Sequence, residues 1–137
     1  KGGDVVALLP GRDRELAKSR KAYDSLVAGV VSSESAAARS RGVFFIGDKK
    51  EAEAATKKKH EYVTIAGQVE VNVCLENGPI EPGDLLVASS MPGYAMRATD
   101  EDKMFGAVVA KAMERFDQKT ADSNGGKGKI IAILWIK

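Results

Sequence analysis

The sequence predicts an all-β fold, a compact barrel or packed sheets, built from two repeated β-units. Three observations carry that expectation. Short runs rich in Val and Ile are separated by turn dipeptides at frequent intervals. No long stretch has the 3.6-residue apolar period of an amphipathic helix. Finally, one set of motifs occurs twice in the same order. Gly2-Gly3-Asp4-Val5-Val6-Ala7-Leu8 is matched by Glu81-Pro82-Gly83-Asp84-Leu85-Leu86-Val87-Ala88. Each apolar run leads to Pro-Gly, at Pro10-Gly11 and Pro92-Gly93, and then to a segment ending in a basic residue, Lys18 or Arg97. Gly-x-Val-Val-type strands follow at Gly29-Val30-Val31 and Gly106-Ala107-Val108-Val109, and each half closes on a β-rich run opening with Gly67 or Gly128. The two units are expected over 2–73 and 81–134, within a single β-domain covering 1–137.

Composition bounds the function more than it defines it. At 137 residues the chain is long enough for a real core, and 44% hydrophobic with 29% charged residues is ordinary for a globular protein. A formal charge of +2 and 6% aromatic residues offer neither the field nor the stacking platform of a nucleic-acid binder, so no nucleic-acid partner is expected. No segment reaches the roughly 18 apolar residues of a membrane helix, and no membrane partner is expected. One cysteine excludes an internal disulfide. Because the chain begins with Lys1 and a strand motif, it is expected to be a piece of something longer.

Taken in order, Val5 to Leu9 reads as a strand after a Gly-Gly-Asp turn, and Pro10-Gly11 as a tight turn. Glu15 to Tyr23 is helically permissive, but its short repeat partner Tyr94 to Thr99 argues for a strand with an exposed connection. Leu26 to Val31 is a buried strand in which Gly29 marks a bulge or a close approach. Ser32 to Arg41 is a small, polar loop or one helical turn, and Val43-Phe44-Phe45-Ile46 a compact strand. Lys49 to His60 is Ala, Glu and Lys, good helix formers with little to bury, and is expected to be a short helical or disordered insertion. Tyr62 to Ala66 and Val69 to Val73 then alternate at period two, which points Val69, Val71 and Val73 inward and Glu70 and Asn72 outward. Asn77-Gly78 before Pro79 is a turn, Met104 to Met113 is ambiguous between strand and helix, and Asp122 to Gly128 is a glycine-rich loop with hairpin character. Ile130 to Ile136 is apolar on both faces, so it should be central or lie under a partner subunit.

No active site is spelled out. His60 follows Lys57-Lys58-Lys59 with no second His or Cys at ligand spacing, so it reads as a solvated loop residue. Cys74 ends a core-facing strand with no basic neighbour, the setting of a small buried hydrophobe. Asp4 and Asp84 hold equivalent places, and paired carboxylates could form an acid pair or a cation site; Gly-Asp before a strand is also turn chemistry. Gly3, Asp4, Pro10, Gly11, Gly83, Asp84, Pro92 and Gly93 are therefore read as structural turn residues. Ser32, Ser33, Ser35, Ser89 and Ser90 have no base singled out beside them, and Asn124 to Gly128 lacks the Lys-Ser/Thr and the helix of a phosphate-binding loop. No metal or cofactor is expected.

The segments Ala22-Tyr23-Asp24-Ser25-Leu26-Val27-Ala28-Gly29-Val30-Val31, Ile65-Ala66-Gly67-Gln68-Val69-Glu70-Val71, Glu76-Asn77-Gly78-Pro79-Ile80-Glu81-Pro82-Gly83-Asp84 and Pro92-Gly93-Tyr94-Ala95-Met96-Arg97 resemble a β-domain at the C-terminal ends of bacterial and phage fibrous proteins. They are similar to the intramolecular-chaperone, self-cleaving domains of phage tail appendages. The resemblance spans nearly the whole chain, and its motifs are mainly turns and strands, specific for fold and weak for activity. It implies a preceding fibrous segment of the same chain, a homo-oligomer with a trimer favoured, and a location on a virion tail or bacterial cell surface. The acidic segment that such domains often carry upstream of the first Gly-Asp is absent here, so no cleavage residue is assigned. The leading expectation is a non-enzymatic structural or assembly domain. Autoproteolysis is the one activity the resemblance raises, as an alternative, and a carbohydrate- or partner-binding module is the third reading.

Overall fold

A computed structural model describes residues 2–11, 13, 15–32, 62–121 and 126–135. Strands β1 (Val5–Leu8), β2 (Leu16–Lys18), β3 (Val27–Ser32) and β4 (Tyr62–Thr64) form an antiparallel sheet in the order β2-β1-β3-β4. Strands β5 (Ala66–Cys74), β6 (Leu85–Ala88), β7 (Ala95–Arg97), β8 (Val108–Ala112) and β9 (Lys127–Trp135) close a barrel in the order β5-β7-β6-β8-β9. Its pairs are antiparallel except β5 and β7, which meet in parallel at Val73 and Ala95. A 3₁₀ turn covers Glu101–Lys103 and a single turn of helix, α1, covers Gln118–Ala121. The all-β expectation holds, with a sheet and a barrel packed together. The strand expected at Val43 to Ile46 and the insertion expected at Lys49 to His60 lie outside the described residues.

The repeated sequence motifs become repeated hydrogen bonding. β1 lies between β2 and β3, and β6 lies between β7 and β8. Both central strands carry a register shift at the same place, between Val6 and Ala7 and between Leu86 and Val87. The amides of Val31 and Ala112 donate to the carbonyls of Asp4 and Asp84 at 2.9 and 2.8 Å, and those of Ser19 and Ala98 donate to Val5 and Leu85, both at 2.9 Å. Two alignments inferred from the motifs need correcting. Val6 pairs with Gly29 and Leu86 with Ala110, so the counterpart of Gly29 is Ala110; Gly106 instead turns the chain before β8 with a φ of +76°. The counterpart of β9 is β4, because β3 pairs with β4 as β8 pairs with β9, while the Gly67 to Val73 run pairs directly with β9. Gly29 itself serves both expected purposes, since it sits at the irregular register and a Cβ there would stand 2.5 Å from the Thr64 carbonyl oxygen.

One apolar cluster runs through both layers, joining Val5, Val27 and Val30 of the sheet to Val71, Leu86, Val109, Phe116 and Ile130 of the barrel. Val69, Val71 and Val73 point inward as their alternation requires, and Glu70 points out. Asn72 departs from that pattern: it is buried, because the first unit packs over this half of β5 and the Asn72 amide donates to the Gly3 carbonyl at 2.8 Å. Met104 to Met113 resolves into a turn followed by β8. β9 is hydrogen-bonded along both edges, to β5 and β8, but it is not sandwiched within the chain, because Ile133 on its outer face is 38% exposed. Its Ile130, Ala132 and Leu134 face the core.

Candidate functional site

The two Gly-Asp motifs build related turns with different surroundings. Gly3 and Gly83 both take a φ of +95°, a region open to Gly at little cost, and send the chain into β1 and β6. The basic residue that closes each following segment reaches back to the carboxylate, Lys18 Nζ to Asp4 Oδ2 and Arg97 Nε to Asp84 Oδ2, both at 3.7 Å. There the likeness ends. Asp4 is buried and its Oδ1 accepts from Asn72 Nδ2 at 2.8 Å. Asp84 is half-exposed and accepts the Glu81 amide at 2.9 Å, closing the Glu81-Pro82-Gly83-Asp84 turn. The two carboxylates therefore have separate partners, and their geometry is that of turns and joints. Among the described residues no three His, Cys, Asp or Glu side chains gather as a metal site.

The Pro-Gly turns divide in the same way. Pro10 and Gly11 are exposed, and a Cβ on Gly11 would meet nothing. Pro92 is exposed too, but Gly93 is buried against the first unit: its carbonyl accepts the Val5 amide and its amide donates to the Ser19 carbonyl. A Cβ on Gly93 would lie 2.9 Å from Asp4 Oδ1. Asp4, Asn72, Gly3 and Gly93 thus form one joint between sheet and barrel.

A second joint centres on Tyr23, whose backbone adopts a φ of +58°, rare for a residue with a bulky side chain. The Tyr23 amide donates to the Ala88 carbonyl, and its hydroxyl oxygen accepts the amides of Thr99 and Asp100, each at 2.9 Å. Asn77 Nδ2 adds a longer contact at 3.4 Å and also donates to the Arg97 carbonyl. Burial by itself would raise the phenol pKa. The hydrogen bonds from the Thr99 hydroxyl and from the Thr99 and Asp100 amides outweigh it, and the pKa falls below the ordinary phenol value. Lys103 Nζ stands 5.9 Å from the ring centre.

Cys74, Ser32, Ser89 and Ser90 are engaged in packing or hydrogen bonds. Cys74 is free and buried with Val87, Met96 and Ala107. Ser89 is buried and donates to the Tyr94 carbonyl at 2.7 Å, Ser90 Oγ is bound to Glu76, and Ser32 accepts from Thr64 Oγ1. His60, Ser33, Ser35 and Asn124 lie outside the described residues. No helix among the described residues is long and apolar enough to cross a membrane.

Three surface features stand out, and only the third had a sequence signal, the two-sided apolar run from Ile130 to Ile136. An open cleft of about 470 Å³ lies on the sheet, with Leu8, Pro10 and Leu26 as apolar lining and Lys18, Arg20 and Lys21 as cations. Phe105, at the tip of the turn before β8, is 98% exposed. On the outer face of β9, Ile133 is 38% exposed between Gln68 and Lys111, and Ile131 pairs with Glu70 beside exposed Met113. Compared with family models, curated proteins and solved structures, the chain matches none.

Proposed function

We propose that the chain is a non-enzymatic structural and assembly domain of a phage tail or bacterial surface fibre protein, acting as a homo-oligomer with a trimer favoured. The observation that supports this reading is the outer face of β9. Ile131, Ile133 and Met113 form an apolar centre edged by Gln68, Glu70 and Lys111, the arrangement of an interface core with a polar rim. The fibre context rests on the resemblance carried by the segments from Ala22 to Val31 and from Glu76 to Arg97. The preceding fibrous segment of the parent chain is its structural neighbour in this reading.

A closed ring suits the end of a fibre, because a contact that fails to close would polymerise. Light scattering on the folded chain at micromolar concentration tests the proposal. The expected mass is three times that of the 14.6 kDa chain, falling toward one chain in Ile133→Glu. A folded wild-type sample with a strictly monomeric mass removes the assembly role.

A further inference from the structure

Two surface features carry complementary chemistry, an exposed aromatic beside acidic side chains and an open cleft lined by apolar residues and cations. The first is a knob. Gly106, with a φ of +76°, turns the chain so that Phe105 projects from the body, 98% exposed. Just before it, the 3₁₀ turn presents Glu101 and Asp102, whose carboxylates have no ion-pair partner among the described residues. Asp100 and Lys103 neutralise each other at 3.8 Å, so the knob is left acidic.

The second is the cleft. Its apolar lining includes Leu8, Pro10 and Leu26, and its cations are Lys18, Arg20 and Lys21. Lys18 is held by Asp4, whereas Arg20 and Lys21 have no ion-pair partner among the described residues. Asp24, the acid that lines this cleft, accepts the Leu26 amide at 2.9 Å and offsets one of these cations, so the rim keeps a net positive charge. An apolar cavity of about 150 Å³ holds a benzene ring. A cleft of about 470 Å³ therefore has room for a phenyl group and part of the turn that carries it.

We propose that Phe105 of one copy docks in this cleft on a second copy, with Glu101 and Asp102 facing Arg20 and Lys21. The proposal rests on the self-association reading and names a contact for it. Two Ile and one Met are a small part of the roughly 800 Å² that each partner gives to a stable interface, so further surface has to take part. An aromatic anchor in an apolar pocket, ringed by complementary charge, is the arrangement in which a few residues dominate affinity and charge fixes register. Each chain carries both halves of the contact on either side of one residue: the Tyr23 hydroxyl rests on Asp100 at the root of the knob, and Lys21 and Asp24 line the cleft. Every copy can give and receive, so the contact can repeat around a closed axis.

Sedimentation equilibrium on the whole chain tests the proposal, comparing wild type with Phe105→Ser, with Arg20→Glu/Lys21→Glu, with Glu101→Lys/Asp102→Lys, and with both charge reversals together. Phe105→Ser is expected to weaken association about 30-fold or more, the effect of losing a dominant interface residue. Each reversal should weaken it as well, and their combination should recover most of the loss. The circular dichroism spectrum should stay that of the wild type, since all five side chains are exposed. An oligomeric wild type with undiminished association in Phe105→Ser overturns the docking and leaves the assembly reading standing. Loss in Phe105→Ser, with the combined reversals no better than either alone, overturns the cleft as the receiving site. A wild type that stays monomeric overturns both.

Discussion

Asp4 and Asp84 occupy the same place in two repeated units, so removing each carboxylate isolates what burial adds to one motif. Asp4→Ala deletes the acceptor of a 2.8 Å bond from Asn72, and both residues are buried. The Asn72 amide group would keep its place in the joint with a donor unsatisfied, at a cost of about 1–3 kcal/mol. Loss of the Lys18 pair at 3.7 Å adds at most about 1 kcal/mol, because the lysine is half in water. The sum is about 3 kcal/mol. Asp84→Ala frees the exposed Glu81 amide, which water can satisfy, and loses an exposed pair with Arg97, together about 1 kcal/mol. Side-chain exposures of 6% for Asp4 and 30% for Asp84 decide the difference. In urea unfolding monitored by circular dichroism, the midpoint should fall about three times as far for Asp4→Ala, with unchanged slope. Equal losses, or a larger loss at Asp84, would refute the assignment of Asp4 as a buried joint.

Gly93→Ala should cost about 2–3 kcal/mol, because it combines a φ of +80° with a Cβ 2.9 Å from Asp4 Oδ1; Gly83→Ala, strained in φ but open in space, should cost about 1 kcal/mol in the same assay. Gly128→Ala drives a Cβ into Phe116 Cε1, and since that ring is fully buried the expected loss is about 1–3 kcal/mol, with a near-ultraviolet circular dichroism change as the ring shifts. The Tyr23 phenol titrates below its ordinary value in the folded state, so the folded protein binds the phenolate more tightly than the unfolded chain does. The stability this adds is complete above the unfolded value of about 10 and is lost as pH falls through the lowered folded value. Absorbance titration should show a tyrosine step below the ordinary phenol value, and persistence of that early step in Tyr23→Phe would assign it elsewhere.

What could be read from the sequence was local, and what could not was contributed by distant parts of the chain. Val69, Val71 and Val73 announce their inward face because one strand sees one core with a period of two. The same alternation misplaced Asn72, since the far face of a strand is polar only where nothing packs on it, and Gly3 and Asp4 do. Gly29 could be read as a close approach, but its repeat partner could not: Ala110 takes the equivalent register without a glycine, and Gly106 supplied a false match. The Tyr23 joint depends on amides at positions 99 and 100, and no pattern around Tyr23 points to them. Phe105 and the cleft escaped for a related reason. A lone aromatic next to Gly carries no sign of exposure, and the cleft is assembled from four separate stretches between Ala7 and Leu26.

The long pairing of β5 with β9 constrains the order in which the protein can be made. Its nine rungs join residues from 53 positions apart, at Cys74 and Lys127, to 69 apart, at Ala66 and Trp135. Non-local pairing of this kind is slow to form, and it cannot begin before the second partner exists. While the ribosome is still adding β6, β7 and β8, the β5 segment has every residue it needs except its neighbour. Val69, Val71 and Val73 then make it an unpaired apolar edge, the kind of template on which chains join wrongly. A synthesis rate of about 5–20 residues per second keeps that edge open for several seconds on each nascent chain. Where many copies are translated side by side, the last strand to emerge sets the interval during which neighbours can mispair.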